Sequence, residues 1–542
     1  MKNRTTPAQF RVVICDELSP AALSIFREKG FEPEVKLGQT EAQLVALAPG
    51  VHAFVVRSAT KITRKVIEAA PDLRVVGRAG VGVDNVDSDA ATERGVVVMN
   101  TPTGNTVTTA ELAITLLTCL ARHVPRADAL VKQGQWTKKG LTGTELTGKT
   151  LGIVGLGRIG RVVADRALGL KLNVVAHDPY LSIDKGSGIA GVELATLDTV
   201  LAASDFVTLH VPFMDSTRNI ISKERIAKMK KGARLINAAR GGLVDEAALL
   251  AALESGHLAG AALDVFTEEP PPKDHPLLKR ADVIATPHLG ASSEEAQFQV
   301  AVDIAHQICE FLVEGVAHNA VNAPAVSAQT LREIAPFTLL CERLGAFLAQ
   351  VSDKPVRKLE LTIAGDITKK DTRHLPLALL SAVLRHQGVD EGVNLVNAPV
   401  LAKERGIQLL ESRESTDAVF QSAIHVRATC DEGETHTVSG AIFGRSGMIV
   451  NFDGLELDLE PKGAVLITRH DDQPGVVGML GTILGSHRIN IRRIELGPAS
   501  HYTPGGRGLA TGVLSLYEEP GQPVLAHLRS LEAVRDVRIV RL

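Results

Sequence analysis

The chain has 542 residues, enough for three or four domains at about 150 residues each. With 45% hydrophobic and 22% charged residues and a formal net charge of −3, the composition is that of an ordinary folded protein, with no global electrostatic pull toward nucleic acid or an anionic membrane. Five scattered cysteines, Cys15, Cys119, Cys309, Cys341 and Cys430, argue against a disulfide framework and for a reducing, cytoplasmic setting.

Residues 1–9 are polar and read as a loose arm rather than a signal peptide or membrane span. Short β-branched runs at 12–15, 53–56, 75–77 and 96–99, separated by helical stretches, predict buried parallel strands. An apolar helix over 110–120 leads through a polar stretch around Trp136 into a second α/β unit. Its strands are expected at 151–154, 174–177, 206–210, 234–237, 260–265 and 283–285. A helix over 293–314 is placed to carry the chain back to the first unit, which is then split into 1–100 and 291–320 around a second unit at 101–290. From about Asn322 the texture changes. A helical segment at 330–351 and β-like runs at 358–363 and 423–428 predict an α+β unit at 321–460, and residues 464–542 read βαββαβ, a ferredoxin-like order. The expected fold class is therefore two doubly wound, Rossmann-like α/β units, the first discontinuous, followed by an α+β unit and a small ferredoxin-like one.

Gly155-Leu156-Gly157-Arg158-Ile159-Gly160 lies between a predicted strand and a predicted helix. Glycines there let the backbone approach a pyrophosphate, which sits on the unpaired amides of the helix N-terminus. Asp178, about 20 residues on at the end of the next strand, can accept hydrogen bonds from a ribose 2′-hydroxyl and repels a 2′-phosphate, so the expected cofactor is NAD rather than NADP. No metal is expected.

Arg240, Glu269 and His288 follow predicted strands at the sheet's carboxyl edge, where open α/β sheets bind ligands. A planar guanidinium suits a substrate carboxylate. Hydride transfer from an alcohol needs a base, and imidazole, with an unperturbed pKa of about 6.5, is suited to it when a carboxylate fixes the ring. Each residue alone has a bland alternative: a surface ion pair, a helix-start acid, a satisfied loop histidine. Their order after a dinucleotide loop favours chemistry.

The loop 155–160, the run from Asn237 to Glu246, the run from Asp264 to Pro271 and Pro287-His288-Leu289-Gly290-Ala291-Ser292 resemble the D-isomer-specific 2-hydroxyacid dehydrogenase family over roughly residues 10–320. Arg57-Ser58-Ala59-Thr60-Lys61 and the glycine-rich run from Gly77 to Asp87, with the extra carboxyl-terminal units, resemble that family's long, serine-biosynthetic branch. The resemblance implies NAD-dependent oxidation of 3-phosphoglycerate to 3-phosphohydroxypyruvate. His288 would be the general base with Glu269 behind it, and Arg240 would hold the carboxylate beside amides around Gly80 and Gly82. Arg57 and Arg78 would meet the substrate's anionic groups, and Lys138 or Lys139 would reach in from beyond Trp136, although a solvated pair of loop charges explains them equally well. Around NAD it places Arg158 and Ile159, Ala238 and Ala239, Asp264 near the nicotinamide, and Gly290 beside His288. Family members often carry threonine where Val81 stands, so one cofactor hydrogen bond is absent.

Asp471-Asp472-Gln473-Pro474-Gly475-Val476 resembles the opening of an ACT regulatory domain. That implies edge-to-edge pairing of subunits and serine bound between them, with Asp472 on its ammonium, the following helix N-terminus on its carboxylate and Asn490 bridging from a partner. His470 stands where some relatives have tyrosine, and plain helix capping accounts for the same residues without a ligand. The unit at 321–460 resembles the intervening domain of the same branch. A spacer and assembly role is expected for it, with Arg445 the one cation near its acidic stretch at 453–458. A homotetramer is implied. The alternatives are another dehydrogenase of 2-hydroxy acids, such as a hydroxypyruvate or glyoxylate reductase, which usually lacks the chain beyond about residue 325, or an NAD-sensing corepressor-type binding protein, whose tail is disordered.

Overall fold

The computed structural model describes residues 7–389, 392–498 and 508–542. Pro7–Gln9 forms a single 3₁₀ turn against which Phe10 is buried, and the rest of the expected arm lies outside the described residues.

Five parallel strands, β1 (Val12–Ile14), β2 (Glu34–Val35), β3 (Ala53–Val56), β4 (Val75–Arg78) and β5 (Val97–Met99), are ordered β2-β1-β3-β4-β5. The central strands are buried along their whole length, which is why they read as unbroken β-branched runs rather than alternating ones. The helix Glu294–Glu314 returns to this sheet: Val300, Ile304 and Ile308 share one core with Val12, Ile14, Val55 and Val75. A Cβ on Gly77 would meet the Ile308 side chain at 2.4 Å, so the small residue in β4 sets how closely the helix packs.

The second sheet has seven parallel strands: β6 (Thr150–Val154), β7 (Asn173–His177), β8 (Val192–Leu194), β9 (Phe206–Leu209), β10 (Ala233–Asn237), β11 (Leu258–Leu263) and β12 (Val283–Ala285). Their order, β12-β11-β10-β9-β6-β7-β8, reverses between β6 and β9, and that switch point opens a crevice at the carboxyl ends. The short strands β2 and β8 were not expected from sequence. β11 ends two residues earlier than expected, which puts Asp264 in the turn after it.

The third unit is a mixed sheet, β13 (Val356–Gly365), β14 (Gln408–Glu414), β15 (Ser422–Cys430), β16 (Thr435–Phe443), β17 (Ser446–Phe452) and β18 (Leu455–Leu459), ordered β14-β13-β15-β16-β17-β18. One face packs on the helices Ala328–Val351 and His374–His386. The first is long and apolar because Leu340, Leu344 and Phe347 fill the core beneath the sheet. The last unit is β19 (Ala464–Asp471), helix Val476–Ser486, β20 (Ile491–Pro498), β21 (Leu509–Leu516), helix Gln522–Arg529 and β22 (Val534–Arg541), antiparallel in the order β20-β21-β19-β22. This is the βαββαβ arrangement. Both faces of its sheet are covered: Leu466 and Leu514 face its own helices, while Val465, Ile467, Val513 and Val540 join the core of the third unit.

The acidic stretch at 453–458 marks that seam, and the expectation that Arg445 was its nearby cation is corrected. Arg469 on β19 lies 3.6 Å from Asp453, and Arg493 on β20 pairs with Asp458 at 2.6 Å. Both arginines are distant in sequence, so strand packing alone brings them there.

Candidate active site

The cleft between the two parallel-sheet units holds about 470 Å³ and is lined from both sides. Arg57, Arg78 and the glycine-rich turn after β4 face it from the first unit. Arg158, Ile159, Ala238, Ala239, Arg240, His288 and Gly290 face it from the second.

The dinucleotide loop is shaped by backbone contact. A Cβ on Gly160 would lie 2.1 Å from the Gly155 carbonyl oxygen, and one on Gly155, whose φ is +97°, would lie 2.5 Å from the His210 carbonyl oxygen. Helix Arg158–Gly169 therefore docks directly on the loop. A Cβ on Gly157 would meet nothing within 4 Å, so the space in front of the helix N-terminus is open where a pyrophosphate belongs. Asp178 stands beside it, half-buried, accepting from the Leu156 amide at 2.9 Å and the Tyr180 amide at 3.0 Å. These residues fit a dinucleotide.

His288 and Glu269 meet: Nδ1 of the ring is 2.7 Å from Oε2 of the carboxylate. Burial works against ionisation of Glu269, but the His288 ring, the Phe266 amide and the nearby charge of Arg240 outweigh it and hold the carboxyl below its ordinary value. An ionised acceptor assigns the proton on Nδ1 and leaves the Nε2 lone pair for the cleft. His288 has φ +55°, a left-handed backbone uncommon outside glycine, and here it is held in place by its neighbours. Asp264 holds it. Its buried carboxylate accepts from Thr286 Oγ1 at 2.6 Å and from the Leu289 and Gly290 amides at 2.7 and 2.9 Å, and its carbonyl accepts from the His288 amide at 2.9 Å. Burial raises the Asp264 carboxyl despite these donors.

Arg240 leaves the Rossmann-like unit and crosses the cleft, with Nε 3.2 Å from Asp84 of the first unit and Nη1 on the Ala239 carbonyl at 2.7 Å. Gly82 has no side chain because the Arg240 guanidinium occupies that place, 2.0 Å from where a Cβ would stand. Gly80, with φ +147°, makes the same room for Arg78. Arg78 is mostly buried, its Nε has no partner among the described residues, and burial, with the positive charges of Arg240 and Arg57, pushes its pKa down to about 10. A buried cation with an unsatisfied donor, next to two more arginines, is a site that an anion would relieve.

Several residues lining the cleft went unnoticed in the sequence. Asp84 lay inside a quoted run without a role. Asn105 looks like a helix cap but makes no cap bond, and its buried Oδ1 has no partner among the described residues. His210, at the end of β9, is pushed down to about 4 by burial and so stays neutral, with Nε2 on Thr208 Oγ1 at 3.0 Å. By contrast, Lys138 and Lys139 are exposed and do not line the cleft of their own chain. In the last unit Asp472 and Asn490 are exposed. His470 is 3% exposed, its ring against Thr468 inside the sheet. Next to it, Arg535 donates to both oxygens of the buried Asp471.

Two parallel sheets facing across a cleft, a glycine loop with its acid, and a histidine–carboxylate pair opposite an arginine define a D-isomer-specific 2-hydroxyacid dehydrogenase. The family model for the NAD-binding domain of those enzymes matches residues 114–290. A solved protein from Thermus thermophilus superposes with a TM-score of 0.53 at 37% identity, covering 58% of this chain and 100% of that one. A glyoxylate reductase from Paecilomyes thermophila does so with a TM-score of 0.53 at 28% identity, covering 58% and 98%. Part of the remaining chain is matched by a second family model: residues 333–452 fit the D-3-phosphoglycerate dehydrogenase intervening domain. The D-3-phosphoglycerate dehydrogenase of Archaeoglobus fulgidus is 40% identical over 533 residues, 98% of this chain and 100% of the relative, and that of Bacillus subtilis is 42% identical over 492 residues, 90% and 92%. The chain belongs to the D-3-phosphoglycerate dehydrogenase family.

Proposed function

We propose that the protein oxidises 3-phosphoglycerate to 3-phosphohydroxypyruvate with NAD. The observation that carries this reading is the cluster of Arg57, Arg78 and Arg240 in one cleft with the His288–Glu269 pair. One cation serves a carboxylate, and the surplus suits a second, more highly charged group. Bound NAD supplies the hydride acceptor. The chain supplies the rest: Arg240 orients the carboxylate and polarises the developing carbonyl, His288 Nε2 takes the hydroxyl proton, and Glu269 stabilises the imidazolium that results. In reverse the same proton returns from His288. Asp178, at the ribose end, favours NAD over its 2′-phosphorylated form.

A hydroxypyruvate or glyoxylate reductase would need neither the third arginine nor the last two units, and the solved glyoxylate reductase aligns with only 58% of this chain. The corepressor reading is disfavoured by a folded tail. We further read the last unit as an ACT domain that binds serine at Asp472 and Asn490, and the assembly as a cytoplasmic homotetramer. The exposed Val124, Val131 and Trp136 support contact with another subunit. NADH formation from 3-phosphoglycerate, with product withdrawn, tests the reaction. His288→Asn is expected to lose at least about a thousandfold in kcat while still binding NADH, and retained turnover would refute the assigned role. Serine is expected to inhibit the full chain but not one truncated near Lys462; equal inhibition of both would move the effector site elsewhere.

A further inference from the structure

Arg57 lies in a turn that is tied down from two sides by residues which do not face the cleft. Asp16, in the loop after β1, is 7% exposed and accepts at Oδ2 from the Arg57 amide at 2.6 Å and the Thr60 amide at 3.2 Å, and at Oδ1 from Thr60 Oγ1 at 2.6 Å. Asn85, in the turn after β4, donates from Nδ2 to the carbonyls of Arg57 at 2.7 Å and Thr60 at 2.6 Å. Both backbone groups of Arg57 are thereby fixed. Its guanidinium remains almost free, with one long contact from Nη1 to the Glu17 carbonyl at 3.3 Å.

The arrangement is costly for a turn that needs only to close. Asp16 is a buried carboxylate with no ion pair among the described residues, compensated by three donors from a single four-residue turn. Its charge also acts on Arg78, where it offsets the repulsion from Arg57 and Arg240. Between the two clamped ends, the Ser58 and Ala59 amides make no hydrogen bond within the described chain, and both residues are exposed. The loops after β1, β3 and β4, from three adjacent strands, are thus laced into one rigid rim, with Arg57 as its projecting cation.

We infer that Asp16 and Asn85 are positioning residues that hold Arg57 where it recognises the phosphate of the substrate, and so set selectivity for the phosphorylated over the unphosphorylated hydroxyacid. This rests on the proposed substrate. Pre-organisation by a rigid rim strengthens only contacts made through that rim, whereas the carboxylate and the reacting carbon are held by Arg240 and His288 from the opposite unit.

The test compares reduction of 3-phosphohydroxypyruvate with that of hydroxypyruvate by the full-length protein and by Asp16→Asn, Asn85→Ala and Arg57→Gln. Asp16→Asn and Asn85→Ala are each expected to raise KM for the phosphorylated substrate about tenfold or more with kcat within about twofold, and to change kcat/KM for hydroxypyruvate by less than about twofold. Asn85→Ala, only half-buried, keeps the test open if the buried Asp16 variant does not fold. Equal losses with both substrates, or none with either, would overturn the inference. Arg57→Gln separates the two levels: if it too affects both substrates alike, the assignment of Arg57 to phosphate fails; if it discriminates while the clamp variants do not, only the clamp does.

Discussion

The His288 ring depends on two carboxylates that do different things. Glu269 meets the ring and is held ionised, so it can balance the charge that arrives with the substrate proton; Asp264 touches only backbone and a threonine, and sets where the ring stands. Glu269→Gln keeps the size and one acceptor but removes the charge. It is expected to lower kcat about 10- to 100-fold with NADH affinity unchanged within about twofold, since general-base catalysis as a whole contributes about 10²–10⁴. Stopped-flow turnover and NADH fluorescence titration measure the two quantities, and an unchanged kcat would leave Glu269 a structural acid only. The residues of this pair were legible in the sequence because each lies in the loop that follows a strand, within a run that resembles the family's. Asp84 and Asp16 were not, since their partners, Arg240 and the turn at 57–60, are brought in by sheet order and cleft closure rather than by spacing along the chain.

At the level of elements, the buried parallel strands were readable because burial on both faces makes them continuous apolar runs, and their helices fill the gaps between. The edges were not. β2 is two residues long and half-exposed, and β14 is exposed along nearly all of Gln408–Glu414, so neither carries a hydrophobic pattern; each is recruited by pairing with a central neighbour, β1 and β13 respectively. The docking of helix Arg158–Gly169 on the dinucleotide loop depends on the bare backbone of Gly160. Gly160→Ala places a methyl 2.1 Å from the Gly155 carbonyl oxygen, and the helix must move away from both loop and sheet. Overpacking of this kind costs about 1–3 kcal/mol. The same displacement turns the N-terminal amides off the pyrophosphate, so NADH affinity is expected to fall at least about tenfold, in line with a loss of 1.4 kcal/mol or more. Calorimetric titration with NADH checks this; wild-type affinity would mean that the loop yields instead.

Across the whole molecule, the third and last units are joined through α-helical core on one side and a polar seam on the other, and the seam contains a buried histidine. His436, 2% exposed, has Nδ1 2.7 Å from Asp453 and Nε2 3.0 Å from Glu434 and stacks on Phe452. Glu434 is shared with Ser352 and Lys354, and Asp453 with the Thr437 amide and Arg469 of the last unit. Burial opposes the charge on His436, and Arg469 opposes it further, but the two carboxylates outweigh both and raise its pKa above the ordinary histidine value. The sign follows: a histidine whose folded value is raised contributes stability in full below its unfolded pKa of about 6.5, and loses it as pH rises through the folded value. Above that point two carboxylates face each other across a neutral ring, and the hydrogen bonds that the ring shared with both weaken. Hydrogen exchange at the Phe452–Asp453 turn is therefore expected to quicken from about pH 6.5 upward in the wild-type protein, beyond the intrinsic rise of exchange with pH, and His436→Gln should remove that extra dependence. If the variant retains it, the pH sensitivity belongs to another group, and the seam is held by the Arg493–Asp458 pair and by the apolar core that Val465, Ile467 and Val540 share with the third unit.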